Sequence, residues 1–234
     1  MAEIGVEHKL TVPRTARYWT LEPTGAPLGT LFALHGYGQL ARFFIRKFQP
    51  VADSGWRVVA PEGGHRFYLQ GTEGRVGASW MTKEDRLSDI EDYVRYLDRL
   101  RAETGGGNGT PEVLLGFSQG VATALRWAAL GARGAASWEG LMAHSGVIPP
   151  DLPSGDTLLK GAPPLHVIVG REDPYITDTA AGFRKAEEEW SRSGGAQDQI
   201  HLHTFEGGHT VDAASVVQLL EGMPKRRDST NLRP

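Results

Sequence analysis

The feature that most constrains this chain is a rhythm in which nearly continuous apolar runs, each closed by Gly, Pro or Ser, alternate with stretches of helical periodicity. GTLFALHG (29–36) is the first run. WRVVAPEG (56–63), EVLLGFS (112–118), EGLMAHSG (139–146) and LHVIVGRED (165–173) follow, and QIHLHTF (199–205) is a more polar sixth. A strand apolar on both faces belongs inside a parallel sheet covered on each side. Between the runs, RLSDIEDYVRYLDRLRAE (86–103) sets Leu87, Ile90, Val94, Leu97 and Leu100 on one stripe at three- and four-residue spacing, which predicts an amphipathic helix. ARFFIRKFQPVADSG (41–55) predicts a helix kinked or broken at Pro50, and GVATALRWAALGA (120–132), DTAAGFRKAEEEW (178–190) and VDAASVVQLLEG (211–222) supply three more. Such alternation predicts an α/β fold: a doubly wound, mostly parallel sheet with helices on both faces.

Two departures from the rhythm stand out. HKLTV (8–12) and RYWTL (17–21) alternate well enough to predict an N-terminal antiparallel hairpin. Residues 61–84, PEGGHRFYLQGTEGRVGASWMTKE, carry Phe67, Tyr68 and Trp80 but little regular periodicity, and so long a loop in a compact domain is commonly functional. One domain over residues 1–222 is expected, with 223–234 as a flexible tail because PKRRDSTNLRP has no apolar pattern.

Composition narrows the partners. Hydrophobic residues make up 40% and charged residues 23%, as in ordinary folded proteins, and the net charge is −3 with no dense basic cluster to suggest nucleic acid or an anionic membrane surface. No apolar run approaches the roughly 18 residues of a membrane span, and MAEIGVEHKL lacks the pattern of a secretory signal, so a cytoplasmic protein acting on a small molecule is expected. The absence of cysteine removes disulfides, thiolate metal sites and a cysteine nucleophile. Oligomeric state is not legible, and a homodimer stays open.

LLGFSQGVAT (114–123) places Ser118 between two glycines where a buried strand gives way to a helix rich in small residues. G-x-S-x-G alone has a chance count of about 0.2 in a chain this rich in glycine, but the strand-turn-helix setting is what a nucleophile elbow requires. A serine hydroxyl attacks only if a base removes its proton. Of eight histidines, His209 sits in FEGGHTV, leaving the last strand and entering the last helix, on the sheet edge that carries Ser118; His65 and His144 are rivals near other strand ends. His201 and His203 in HLH suggest a metal pair, but no third ligand follows at metal-site spacing, so no metal is expected. Asp173, just beyond the fifth run, supplies the anion for the imidazole, with Glu172 and Asp178 as alternatives. In LFALHGYGQ two glycines flank Tyr37, whose amide can pair with that of Gln119 as an oxyanion hole, while His35 is expected to order the loop.

With LHGYG, GFSQG, GRED and GGH in this order, the chain resembles the phospholipase/carboxylesterase branch of the α/β-hydrolases, which includes acyl-protein thioesterase-like enzymes. The resemblance spans about residues 29–222. It implies an α/β-hydrolase fold without a large cap domain, a triad of Ser118, Asp173 and His209, oxyanion amides at Tyr37 and Gln119, and no cofactor. GASWM looks like the family's tryptophan-containing stretch, which makes Trp80, with Phe67 and Tyr68, a candidate pocket residue. The chain departs from the family pattern at Val121, where a second glycine is common, and in DPYIT, where valine-proline is common. The implied activity is hydrolysis of a small-molecule carboxylic ester through an acyl-enzyme. A thioesterase, or a ligand-binding protein that keeps the fold without turnover, is the alternative.

Overall fold

The computed structural model describes residues 5–105, 109–152, 161–176, 179–192 and 199–223. Seven strands form one sheet: β1 (Tyr18–Leu21), β2 (Thr30–Leu34), β3 (Arg57–Pro61), β6 (Glu112–Phe117), β7 (Gly140–His144), β8 (Leu165–Gly170) and β9 (Ile200–Phe205). Two further strands, β4 (His65–Tyr68) and β5 (Val76–Ser79), pair with each other in a separate hairpin. The order across the large sheet is β1-β3-β2-β6-β7-β8-β9, and every pairing is parallel except β1 with β3. All six apolar runs are strands of this sheet.

Alternation along each strand divides the core in two. Phe32, Leu34, Leu114, Leu141 and Val167 face one layer, with α3 (Arg86–Thr104), α4 (Gln119–Leu130) and Trp190 of α5 (Thr179–Arg192). Leu31, Ala33, Val113, Leu115, Phe117 and Ile168 face the other, with α1 (Ala41–Phe44), α2 (Gln49–Asp53) and α6 (Ala213–Glu221). Period two in the strands thus distributes helices to both sides. Among the described residues no large cap is inserted between strands, and no helix is long and apolar enough to cross a membrane.

Four sequence expectations are corrected here. Residues 8–12 form no strand, so the N-terminal hairpin is absent; β1 instead takes the sheet edge, with Tyr18 opposite Pro61 and Leu21 opposite Val58. Its partner lies far along the chain because β3 offers the apolar edge that 8–12, exposed throughout, does not. The 61–84 segment is not structureless: β4 and β5 pair His65 with Ser79 and Tyr68 with Val76, and Gly77 packs so closely on the Gly38 backbone that a Cβ there would fall 2.5 Å from its carbonyl oxygen. On α3, Leu87 is 66% exposed, and the buried stripe runs through Ile90, Tyr93, Val94, Leu97 and Leu100. The helix expected over 41–55 breaks before Pro50, at a 3-10 turn over Ile45–Phe48, and Pro50 sits in the first turn of α2, where its missing N–H costs nothing. Asp178 and the tail from 224 onward lie outside the described residues.

Candidate active site

Ser118 follows β6 directly and its backbone sits at φ 54°, ψ −119°, a region that costs a non-glycine residue about 1–3 kcal/mol. The turn around it is closed by near contact of backbones. A Cβ on Gly116 would fall 2.2 Å from the Gly120 oxygen, and one on Gly120 would fall 2.2 Å from the Leu34 oxygen, so only glycine lets α4 start this close to β6 and β2. The Ser118 amide is bonded to the His144 carbonyl at 3.0 Å, which fixes the serine to the neighbouring strand β7.

β8 and β9 bring the other two groups. Beyond β8, the Asp173 amide bonds back to the Gly170 carbonyl at 3.2 Å, turning the carboxylate inward until its side chain has no solvent exposure. Beyond β9, Glu172 N–H donates to the Gly207 carbonyl at 2.9 Å, tying the acid and histidine loops together. The result is a continuous chain: Asp173 Oδ2 accepts from His209 Nδ1 at 2.8 Å, and His209 Nε2 lies 3.1 Å from Ser118 Oγ. An ionised carboxylate only accepts, so the proton is on Nδ1 and Nε2 presents its lone pair to the serine hydroxyl. The second Asp173 oxygen accepts the Tyr175 amide at 3.0 Å. The His209 ring is held between Phe117 at 5.0 Å and Tyr175 at 4.7 Å between centroids.

The loop after β2 runs beside Ser118: a Cβ at Gly36 would lie 3.0 Å from the serine Cβ. His35 is fully buried and pins this loop, with Nδ1 donating to the Gly36 carbonyl at 2.7 Å and Nε2 accepting the Gly63 amide at 2.9 Å. Burial pushes its pKa down to about 4, so the ring is neutral, as this pair of bonds requires. Gly38 N–H donates to Ala78 O at 2.8 Å and completes the clamp. Among the described residues neither the Tyr37 nor the Gln119 amide donates to any protein acceptor, which leaves both donors open at the strand ends. The start of α4 adds its dipole to the Gln119 position.

The other candidates sort clearly. His144 is fully buried and bonds to Asp212 N at 2.9 Å through Nε2 and to Ser145 Oγ at 3.2 Å through Nδ1; it anchors the start of α6 behind His209, and burial lowers its pKa to about 4. His65 lies in β4 and pairs with Asp89 at 2.9 Å. Glu172 is exposed, and Asp173 alone among the described alternatives reaches the imidazole. His166 Nδ1 and His203 Nε2 lie 3.0 Å apart between β8 and β9, and no group of three or more His, Asp or Glu among the described residues is arranged for a metal ion.

For the pocket residues the picture divides. Phe67 is half-buried and stacks on Tyr37 with centroids 5.1 Å apart, beside the open amide. Tyr68, its neighbour on β4, points to the opposite face of the hairpin and is 48% exposed. Trp80 is 1% exposed; its Nε1 donates to the His35 carbonyl at 2.9 Å, and its ring lies 5.0 Å from that of His35, so it supports the loop from beneath.

Sequence reasoning missed the side chain of Gln119, whose Nε2 donates to Ser79 Oγ and Met81 O, each at 3.0 Å, and whose Oε1 accepts Trp80 N at 3.2 Å. It fastens the hairpin to the elbow, and no local pattern encodes a contact made across about forty residues. It also missed Tyr175, which the departure DPYIT places 78% exposed and edge-on to the histidine.

No protein-family model and no curated protein matches the sequence. Solved structures do. Esterase PE8 is 26% identical, with 90% of this chain and 100% of that one covered at a TM-score of 0.65. Acyl-protein thioesterase 2 of Zea mays is 18% identical over 88% of this chain and 98% of that one at a TM-score of 0.65. The carboxylesterase of Bacillus cereus is 17% identical over 88% and 92% at a TM-score of 0.61. The chain therefore has the α/β-hydrolase fold, and the solved structures it is similar to include esterases and an acyl-protein thioesterase.

Proposed function

We propose that the protein is a serine hydrolase that cleaves carboxylic esters through an acyl-enzyme. The observation that carries this reading is the unbroken line of hydrogen bonds from buried Asp173 through His209 to a strained Ser118. In the first half-reaction His209 Nε2 takes the hydroxyl proton as Ser118 Oγ bonds to the carbonyl carbon, and Asp173 stabilises the imidazolium. The Tyr37 and Gln119 amides receive the developing oxyanion, a contribution on the order of several kcal/mol in such sites. The carbon–oxygen bond to the alcohol then breaks, and His209 returns the proton to the leaving oxygen. Water enters, is deprotonated by the same nitrogen, and releases the acid and the free serine. Phe67 and Tyr37 flank the reacting carbonyl in this reading.

Thioester cleavage uses the same groups on a better leaving group, and the likeness to a plant acyl-protein thioesterase favours testing it beside the ester. The decisive experiment is labelling with a fluorophosphonate, followed by p-nitrophenyl ester and acyl-thioester panels. Labelling and turnover in the native chain, both lost in Ser118→Ala, are expected. A chain that folds yet neither labels nor turns over any ester would make this a ligand-binding protein on a hydrolase fold.

A further inference from the structure

The segment that leaves the oxyanion loop turns its basic side outward. Over residues 41–48, Ala41, Phe44, Ile45 and Phe48 are buried, while Arg42, Phe43, Arg46 and Lys47 are exposed. Both guanidiniums lie against the Phe43 ring, at 4.5 Å for Arg42 and 5.2 Å for Arg46. Among the described residues none of these three cations has a carboxylate within ion-pairing distance, on a chain whose net charge is −3. Three unneutralised positive charges within six residues repel one another, and an anion relieves that repulsion.

Their location ties them to the chemistry. The segment begins two residues beyond Gln39 of the loop that carries Tyr37, and Lys47 Nζ donates to Thr210 Oγ1 at 3.1 Å, the residue after His209. The ridge therefore spans from the oxyanion loop to the loop bearing the base. Lys47 is thus fastened to the loop whose histidine, in the reading above, protonates the departing group. Asp212, two residues beyond Thr210, is otherwise engaged: it accepts from the Ser215 amide at the start of α6.

Resting on the serine-hydrolase reading, we propose that Arg42, Arg46 and Lys47 recognise an anionic group on the leaving half of the substrate, so that the preferred esters or thioesters carry a phosphate or carboxylate on the alcohol or thiol. Stacking on Phe43 holds each guanidinium plane in place while leaving its N–H edge free for paired oxygens.

The test uses the full chain and two butyryl esters matched in acyl group and leaving ability: one of 4-hydroxyphenylacetate, one of 4-hydroxyphenylacetamide. The anionic ester is expected to have a kcat/KM about 5- to 30-fold higher at low salt. That ratio should fall several-fold as ionic strength rises from about 20 mM to about 500 mM. It should drop toward one in Arg42→Gln/Arg46→Gln and recover in part in Arg42→Lys/Arg46→Lys, which keeps the charge. Equal turnover of both esters with no salt dependence overturns this inference and leaves the hydrolase reading standing. Failure of both esters together with failure of probe labelling overturns the two readings at once. Co-sedimentation with phosphatidylglycerol vesicles through the same arginines, with an ester ratio of one, would make the ridge a lipid-docking surface and also overturn it.

Discussion

Acid should destabilise this protein well before its carboxylates are protonated, and the cause lies in two fully buried histidines. His35 and His144 have no solvent exposure, and burial brings each from the ordinary value of 6.5 down to about 4. The folded-state value is the lower one, so the unfolded chain binds the extra protons. Their contribution is intact above about pH 7, begins to erode as the pH falls through 6.5, and is exhausted only below 4. At 1.36 kcal/mol per pKa unit, each ring removes about 2 kcal/mol by pH 5 and about 3.4 kcal/mol once both states are protonated. Together the pair removes about 4 kcal/mol by pH 5, a large share of the 5–15 kcal/mol that holds a typical domain. His166 and His203 are lowered as well, chiefly by burial, and push in the same direction. Urea unfolding followed by tryptophan fluorescence at half-unit steps from pH 8 to pH 5 measures the slope. The double variant His35→Gln/His144→Gln should start less stable and lose most of that slope. An unfolding free energy that stays level from pH 7 to pH 5 refutes the reasoning.

Asp173→Asn should retain the fold and lower kcat by about 10⁴, because the amide favours the wrong imidazole tautomer; ester kinetics beside a thermal melt separate the two effects. Gly120→Ala puts a Cβ 2.2 Å from the Leu34 oxygen and 2.8 Å from the His35 oxygen, so α4 must shift off the sheet. A cost of about 1–3 kcal/mol is expected, read in calorimetry as a drop of several degrees in Tm, and kcat should fall with it. Trp80→Phe removes the 2.9 Å bond to the His35 carbonyl and should cost about 1–3 kcal/mol, with kcat falling more than KM changes because the loop it supports carries Tyr37, the proposed oxyanion donor. Glu112→Gln strips the charge from a buried partner of Arg101, 2.9 Å away, and should destabilise the chain by about 3–5 kcal/mol in urea titration without changing the pH profile of turnover.

The sheet was legible because burial on both faces leaves a signature that needs no partner to read: six apolar runs, six strands. The elbow was legible for a related reason, since Gly116, Ser118 and Gly120 obey a local steric demand that can be written in five residues. What lay hidden was set by distance along the chain. β1 reads as half of a hairpin with 8–12 until β3, some forty residues on, offers a better edge. In the β4–β5 hairpin β4 is largely exposed while β5 buries three small residues in a row, so neither strand shows the alternation that announces one. Trp80 is a candidate pocket residue only through the resemblance of GASWM to a family stretch, which says nothing of what its side chain touches in this chain. Its indole N–H is instead spent on His35, forty-five residues away. The histidines separate only in three dimensions: His35 and His144 are as close to strand ends as His209, and only their bonds to Gly63 and Asp212 show that their lone pairs are already occupied.

The two bonds that join Ser118, His209 and Asp173 close loops of 91 and 36 residues. The three side chains hang from β6, β8 and β9, with β7 lying between the first and second. No fragment short of that whole half of the sheet can bring them together, and closing such long loops is a late, slow event in folding. Recovery of turnover after dilution from denaturant should accordingly lag behind recovery of helical signal, making the reaction itself a clock for the last stage of assembly.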